Sequence, residues 1–114
     1  MERKNDVTKI TSCEVDTALE LITGKWKHSI LLVLINGDTL RFSELKRALP
    51  KISQKILTAQ LRDLEEQDIV IRTVYPEVPP RVDYRLSEYG KTLIPILEAM
   101  NEWGMRHAER MRSN

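Results

Sequence analysis

The stretch SELKRALPKISQKILTAQLRDLEEQ, residues 43–67, decides the fold of this chain. It reads as two short helices, because Ser43 and Ser53 each stand at a favoured N-cap position before a segment with apolar residues at helical spacing. The first helix is predicted to end before Pro50, since the residue that precedes a proline avoids helical backbone angles. Only three residues then separate the two helices, and this arrangement predicts a helix-turn-helix.

The second of these helices, predicted at about residues 53–67, is amphipathic. Leucines recur along it at i, i+4 and i+7, and this spacing predicts a buried face made of Leu57, Leu61 and Leu64. The opposite face is polar apart from the small Ala59 and carries Gln54, Lys55, Thr58 and Arg62. In the first helix of the pair, the inner face is expected to consist of Leu45, Ala48 and Leu49.

Two further helices are predicted before this pair. Val15, Leu19 and Ile22 recur at helical spacing, which predicts a short helix over Cys13–Thr23. Trp26–Ile35 is apolar on almost every side and predicts a buried helix, in which we expect His28 to be a satisfied core imidazole rather than a catalytic base. Residues 1–12 are polar and are expected to form a flexible segment.

Strand patterns follow the helix pair. Ile69–Tyr75 is rich in β-branched and aromatic residues, and Val82–Leu86 alternates between apolar and polar side chains. These two runs predict a hairpin over about residues 69–86, whose connecting loop contains three prolines and is expected to project. A single short strand is also expected at Thr39–Phe42.

The order of the elements gives the expected fold class. Ser87 is predicted to cap a last long helix over about residues 87–112, with a kink or a displaced start at Pro95. A helix-turn-helix followed by a hairpin is the order of a winged helix-turn-helix, in which the second helix of the pair enters the major groove of DNA. The chain is therefore expected to be one mostly helical α+β domain over residues 13–114.

The distribution of charge supports this interpretation, although the net charge is only +1. Residues 41–62 contain six basic side chains and a single acidic one, Glu44, so the basic excess falls on the helix pair. The acidic excess lies in the second half of the chain. A near-neutral total can therefore hide a basic face, and it predicts modest non-specific affinity for DNA.

Several classes of protein are disfavoured by the composition. The longest apolar run, Ile30–Ile35, is far shorter than the roughly 20 residues of a membrane helix, so no membrane partner is expected. One cysteine and two histidines cannot form a closed zinc site, and no cofactor motif is present. No triad or phosphate-binding glycine loop stands out, so an enzyme is not expected. A single cysteine fits a reducing cytoplasm.

The candidate DNA-binding residues divide by chemistry. Glutamine can bond adenine with two hydrogen bonds, lysine can reach guanine, and threonine can meet a thymine methyl group, so Gln54, Lys55 and Thr58 are candidates for reading bases. Arg62 lies on the same face, although Asp63 or a following glutamate could pair with it. Phosphate contacts, which position the protein without reading sequence, are expected from Arg41, Lys51, Ser53 and Arg81.

The chain also resembles a known family. The residues that carry the resemblance are Cys13, Gly24-Lys25-Trp26, Arg41-Phe42-Ser43-Glu44-Leu45, Ile52-Ser53-Gln54-Lys55, Leu61-Arg62-Asp63-Leu64-Glu65 and Pro79-Pro80-Arg81-Val82-Asp83-Tyr84-Arg85-Leu86-Ser87. In their order and spacing, from about residue 13 to Trp103-Gly104, they look like the HxlR family of bacterial winged-helix transcriptional regulators. The resemblance implies a cytoplasmic homodimer that binds double-stranded DNA.

The resemblance further implies that the first and last helices build the dimer interface, here through Val15, Leu19, Leu97, Met100 and Trp103. A twofold dimer would place its two recognition helices in successive major grooves about 34 Å apart, so the operator is expected to be an inverted repeat. Repression is the expected sign of regulation.

Cys13 has two interpretations. Several regulators of this family sense electrophiles or oxidants through a cysteine at this position, which makes Cys13 a candidate redox sensor. The family often has proline after that cysteine, whereas this chain has Glu14, whose carboxylate disfavours a thiolate while a position at a helix start favours one. In the other interpretation, Cys13 is a small apolar residue at the beginning of a helix.

Two further functions stay open from the sequence. The protein could respond to a small aromatic compound bound near Trp26, Tyr89 and Trp103, although aromatic residues more often pack in a core or a dimer interface. It could also be a winged helix used only for contact with other proteins. That second function predicts no affinity for any DNA duplex at moderate salt.

Overall fold

The structure, a computed structural model, describes residues 13–24 and 26–113, so the expected flexible segment 1–12 lies outside the described residues. The elements in chain order are α1 (Cys13–Thr23), α2 (Lys27–Gly37), β1 (Leu40–Arg41), α3 (Phe42–Ala48), α4 (Gln54–Glu66), β2 (Val70–Tyr75), β3 (Arg81–Leu86) and α5 (Ile94–Ser113). A short 3₁₀ turn, Gly90–Leu93, precedes α5.

The strands form one small antiparallel sheet with the order β1-β3-β2. The three strands meet at Asp83 and Tyr84, and Tyr84 pairs with Leu40 of β1 on one side and with Arg72 of β2 on the other. The prediction of a mostly helical α+β fold with a helix-turn-helix and a wing is thereby confirmed.

The core lies between the helices and the inner face of the sheet. Burial of apolar area there drives folding, at about 25 cal/mol per Å² removed from water. The side chains that are fully buried come from α2, α3, α4, the turn before α4 and β2: Ile30, Leu31, Leu34, Leu45, Ile52, Leu57, Leu61, Leu64 and Val70. The leucines that were predicted to form the inner face of α4 are all among them.

Local capping sets the limits of the helix pair. The Ser53 hydroxyl accepts a hydrogen bond from the Ile56 N–H at 3.1 Å, which confirms Ser53 as the N-cap of α4. The expectation that Ser43 caps α3 is wrong, since α3 already begins at Phe42 and its N-cap position is Arg41. There the Glu44 carboxylate accepts the Arg41 backbone N–H at 2.8 Å, so the acidic side chain satisfies the helix end.

Two side chains were assigned to the wrong environment. Ala48, expected on the inner face of α3, is exposed, because this two-turn helix buries only Leu45 fully. His28 is exposed on α2 rather than buried, and its Nε2 atom lies 3.4 Å from the Ser29 hydroxyl. His28 lies on the outward side of α2, whereas Ile30, Leu31 and Leu34 of the same helix fill the core.

The last helix begins later than predicted. Ser87 does not cap α5, since its hydroxyl accepts the Gly90 N–H at 2.8 Å and so closes the turn that leads into the 3₁₀ segment. The α-helix starts at Ile94, so Pro95 falls in its first turn, where proline needs no hydrogen-bond partner. Gly90 permits this close turn, because a Cβ atom there would lie 2.2 Å from the Ile69 carbonyl oxygen.

The second half of α5 extends away from the core. Residues 101–113 are all exposed, and the radius of gyration of 17.3 Å exceeds the roughly 13 Å of a compact domain of this length. In the part of the chain that the structure describes, no helix is long and apolar enough to cross a membrane.

Candidate nucleic-acid interface

The residues that were predicted to read bases lie together. Gln54, Lys55, Thr58 and Arg62, with Ala59 among them, line one shallow groove along the exposed side of α4. The three buried leucines of α4 hold the opposite side in the core, so this polar side is directed to solvent. An α4 with this division of faces can enter a major groove without uncovering the core.

The cationic side chains of this face are available for DNA. Among the described residues, no carboxylate lies within 4 Å of the side-chain nitrogens of Arg41, Lys51, Lys55 or Arg62. The expected alternative partner of Arg62, the Asp63 carboxylate, is instead bound by Lys27 at 2.8 Å. These cations can therefore neutralise phosphates without first breaking an ion pair inside the chain.

In the wing, Arg81 was expected to contact phosphate, but its guanidinium is engaged within the hairpin. The Arg81 guanidinium lies over the Tyr75 ring, 4.0 Å from its centre, and pairs with Asp83 at 3.5 Å and Glu77 at 3.9 Å. The aromatic ring and the two carboxylates draw this guanidinium back onto the hairpin. The tip of the wing is the fully exposed, apolar Val78.

The wing and the helix pair nevertheless face one groove. Arg41 and Ser43, at the start of α3, line it together with Glu77, Val78 and Arg81 of the wing. Arg41 therefore lies where a phosphate between the helix pair and the wing would pass. Ser53 contributes less than expected through its side chain, since its hydroxyl is engaged in capping α4.

A partly buried lysine that was not among the expected site residues ties α4 to the start of α2. The Lys27 ammonium, at the start of α2, donates to Gln60 Oε1 at 2.8 Å and lies 2.8 Å from Asp63 Oδ2. The hydrogen bond from Lys27, together with that from Gln67, holds the pKa of the Asp63 carboxyl below its ordinary value of 3.8. The signal available in the sequence was a lysine at the beginning of an otherwise apolar helix.

We expect Lys27→Met to loosen α4 and to lower the free energy of unfolding by about 1 kcal/mol at pH 7, since Asp63 is partly exposed and solvent screens the pair. Because the folded-state pKa of Asp63 is depressed, the contribution of the pair is present above the unfolded pKa of about 4 and is lost as the pH falls below it. Urea unfolding at pH 7 and pH 3 should show the difference between variant and wild type shrinking in acid.

The control for this variant is Lys91→Met. It removes a more exposed pair, between Lys91 and Glu88 at 3.1 Å, that involves no residue of α4. We expect that substitution to change the unfolding free energy by less than about 0.5 kcal/mol. Equal effects of the two substitutions would contradict the positioning role of Lys27.

Four of the five residues expected in a dimer interface are exposed. Val15 and Leu19 lie on α1, and Met100 and Trp103 lie on α5. The fifth, Leu97, does not fit the expectation, because only 6% of it is exposed and it belongs to the core of the chain itself. Leu97 faces inward from the first half of α5, before the helix leaves the core.

The candidate sensor, Cys13, and the candidate aromatic pocket are placed by the structure to different extents. Cys13 is the first residue of α1, with the exposed Glu14 beside it, and the cysteine side chain lies outside what the structure describes. The three residues of the candidate aromatic pocket, Trp26, Tyr89 and Trp103, do not share one environment, and Trp26 is partly buried against the core. Tyr89 lines a groove beside Asp68 and Ser87, whereas the Trp103 ring stacks on His107 within α5, with 4.9 Å between ring centres.

Comparison with known proteins agrees with this geometry. The family model for HxlR-like helix-turn-helix proteins matches residues 21–112. An HTH-type transcriptional regulator of Methanothermobacter thermautotrophicus is 49% identical over 102 residues, which cover 90% of this chain and 77% of that protein.

Solved structures show the same arrangement. The HTH-type transcriptional regulator YtcD superposes with a TM-score of 0.78 at 50% identity, over 83% of this chain and 96% of that one. The redox regulator HypR in its reduced form superposes with a TM-score of 0.80 at 44% identity, over 89% of this chain and 99% of that one. HypR has also been solved in its oxidised form, with a TM-score of 0.74 at 48% identity, over 82% of this chain and 96% of that one.

Proposed function

Because this chain belongs to the HxlR-like helix-turn-helix family of transcriptional regulators, we propose that it binds an inverted-repeat operator as a homodimer in the cytoplasm and represses transcription there. The observation that carries the proposal is the exposed groove of α4, in which polar and cationic side chains suited to base reading lie together. Occupancy of a promoter by the dimer is itself sufficient for repression, since it excludes polymerase.

The positions of the side chains indicate which residues read bases and which bind phosphates. Gln54, Lys55 and Thr58 lie on the first turns of α4, the part of a recognition helix that contacts base edges. Lys51, in the turn just before α4, and Arg41, at the start of α3 beside the wing, bind phosphates, and these contacts set the orientation of the protein on the duplex. Arg62 lies further along α4 and reaches the backbone at the edge of the groove.

A second copy of this chain is the partner that fits the apolar surface of α1 and α5. Trp103 and Met111 are exposed on α5, and Val15 and Leu19 are exposed on α1. The outer half of α5 lacks packing partners among the described residues, and helices of that length are marginal in water without tertiary contacts. A twofold pairing of α1 and α5 with those of the partner would cover this surface on both copies at once.

The proposal is tested by titrating the DNA upstream of the chain's own gene with the protein. We expect a complex of two protomers per duplex, with an affinity well above that for a scrambled duplex of equal length. A winged helix used only for contact with proteins would bind neither duplex.

We further propose that Cys13 makes the regulator sensitive to oxidants, which the similarity to a redox regulator solved in reduced and oxidised forms supports. Hydrogen peroxide would oxidise the thiolate to a sulfenic acid as its O–O bond breaks, and the leaving hydroxide would take up a proton from solvent to become water. A second thiol, from the partner subunit's Cys13 or from a small thiol, would then attack that sulfur to form a disulfide and release a second water. Movement of α1 would change the spacing of the two recognition helices.

The expected result is that diamide, which takes two electrons and two protons from a pair of thiols, lowers the operator affinity of the wild type by about tenfold or more. The Cys13→Ser variant should bind DNA equally well with and without diamide. Anisotropy titrations on one labelled duplex measure both proteins. A Cys13→Ser protein that still responds to diamide would exclude Cys13 as the sensor.

A further inference from the structure

A polar cleft separates the recognition helix from the wing. It has a volume of about 240 Å³ and is lined by Thr58, Arg62 and Glu65 of α4 and by Arg72 and Tyr84 of the sheet. Arg72 was assigned no role in the sequence analysis. We propose that this cleft binds one phosphate of the DNA backbone and that Arg72 is a DNA-contacting residue; this inference rests on the proposed function.

The register of the sheet directs Arg72 toward α4. Arg72 pairs with Tyr84, and two residues earlier on the same face Val70 pairs with Leu86, both of which are buried in the core. Residues that are paired across strands share a face, so Arg72 extends from the core-facing side of β2 at the point where the core ends. An arginine on this face is exposed to the cleft instead of to open solvent on the outer side of the hairpin.

The polar groups of the cleft have no partners within the described part of the chain. Neither the Arg62 nor the Arg72 guanidinium has a hydrogen-bond or ion-pair partner there. The Tyr84 hydroxyl likewise makes no hydrogen bond with a described residue, although only 7% of Tyr84 is exposed. Donors from three elements of secondary structure therefore converge on one space, which is the arrangement that recognises an oxyanion.

The charge of the cleft matches a phosphodiester. Two guanidinium groups face a single carboxylate, Glu65, whose oxygens lie more than 4 Å from both of them. The sum is one positive charge, and each phosphate of a DNA backbone carries one negative charge. Arginine pairs with phosphate through parallel hydrogen bonds, so two arginines can hold one phosphate without help from the Glu65 carboxylate.

The position of the cleft favours the backbone of bound DNA over a separate small phosphate compound. Thr58 and Arg62 line both this cleft and the base-reading groove of α4, so the two spaces adjoin. When α4 lies in a major groove, the strand that borders the groove passes between α4 and the wing. The phosphate in the cleft would fix the depth and tilt of α4.

The test compares the salt dependence of DNA binding for Arg72→Gln with that for Arg85→Gln. Arg85 is exposed on β3 opposite Ile71, so it lies on the other face of the same hairpin. Both substitutions remove one positive charge. Each protein is titrated by anisotropy against a random duplex of about 25 base pairs at several potassium chloride concentrations. Thermal unfolding confirms that both variants are folded.

We expect Arg72→Gln to reduce the slope of log affinity against log salt by about one unit and to weaken binding about tenfold. Arg85→Gln should keep the wild-type slope and affinity. Tyr84→Phe, which removes only the hydroxyl, should weaken binding by about fivefold with the slope unchanged. Equal slopes for wild type and Arg72→Gln would overturn the proposal.

A second arm separates the two sources of phosphate. Inorganic phosphate is added to the protein without DNA, and its binding is measured by calorimetry against chloride at equal ionic strength. Tight phosphate binding that Arg72→Gln abolishes, together with an unchanged DNA slope, would overturn the assignment to DNA. If the wild type binds no duplex, the proposed function itself is refuted. If the wild type binds DNA and Arg72→Gln binds with the same affinity and salt slope, only the assignment of the cleft is refuted.

Discussion

Replacing Trp103 with glutamate should reduce the affinity for the full inverted repeat by about 100-fold or more. A dimer binds its second half-site from a high effective concentration, whereas two separate monomers lose that advantage. The Trp103 side chain is 63% exposed in the single chain and contacts His107 of the same helix, so the substitution costs the fold of one protomer little. Sedimentation of the variant should show monomers at micromolar concentration, with unchanged circular dichroism.

Met105→Glu is the matched control for this prediction. Met105 lies two residues further along α5, is also 63% exposed, and points to the other side of the helix. The substitution introduces the same charge at the same exposure, so we expect the dimer and its operator affinity to be retained. A monomeric Met105→Glu protein, or a dimeric Trp103→Glu protein with wild-type affinity, would contradict the proposed pairing of α1 and α5.

The Lys55→Ala substitution should weaken binding to the operator by about tenfold to 100-fold, since one good base contact discriminates by about 1–3 kcal/mol. Binding to a scrambled duplex should fall far less, because only the contribution of one charge is lost there. Lys55 lies in the base-reading groove of α4 and has no ion-pair partner among the described residues, so the loss reflects DNA contact and not a rearranged surface. Parallel titrations on the two duplexes measure the specificity ratio directly.

Lys51→Ala separates base reading from attraction to phosphates. Lys51 carries the same charge and is exposed in the turn just before α4. Because Lys51 is expected to contact a phosphate, Lys51→Ala should weaken binding to the operator and to the scrambled duplex by similar factors. The slope of log affinity against log salt should be smaller by about one. If Lys55→Ala also lowered both affinities equally, Lys55 would be a backbone contact and the base-reading assignment would be wrong.

The local elements of the fold were predictable because their signals lie within a few residues of each other. The leucine spacing of α4 and its serine cap define that helix from neighbouring residues, and the alternation over Val82–Leu86 defines a strand in the same way. The sequence predicted a displaced start of α5 but not the turn that precedes it. Pro95 indicated it, but the tight approach of Gly90 to Ile69 that forms the preceding turn involves residues 21 positions apart.

The parts of the site that were missed depend on contacts between distant segments. Lys27 meets Asp63 across 36 positions, and Arg72 reaches the cleft only because the sheet register places it beside Tyr84. Arg81 was expected to bind phosphate from its position in the wing loop alone. The Tyr75 ring that draws it back lies only six residues earlier, and the contact follows from the register of the hairpin, in which Tyr75 pairs with Arg81.

The structure shows how the near-neutral net charge is distributed between paired and unpaired side chains. The cations of residues 41–62 form no ion pairs with described carboxylates, whereas several carboxylates of the wing and of α5 are paired within the chain, at Arg81, Arg106 and Arg112. The basic excess of residues 41–62 would therefore concentrate the electrostatic attraction to DNA on the helix pair. Specificity should come from base contacts and from the geometry of the dimer more than from total charge.

The most direct test of the account is a hydroxyl-radical footprint on the DNA upstream of the chain's own gene, repeated at increasing salt. The account predicts two protected segments, centred about one helical turn apart and related by the symmetry of an inverted repeat, with protection that fades steeply as salt rises. A uniform cleavage pattern at low salt, or a footprint without an inverted repeat and with no dependence on salt, would contradict it.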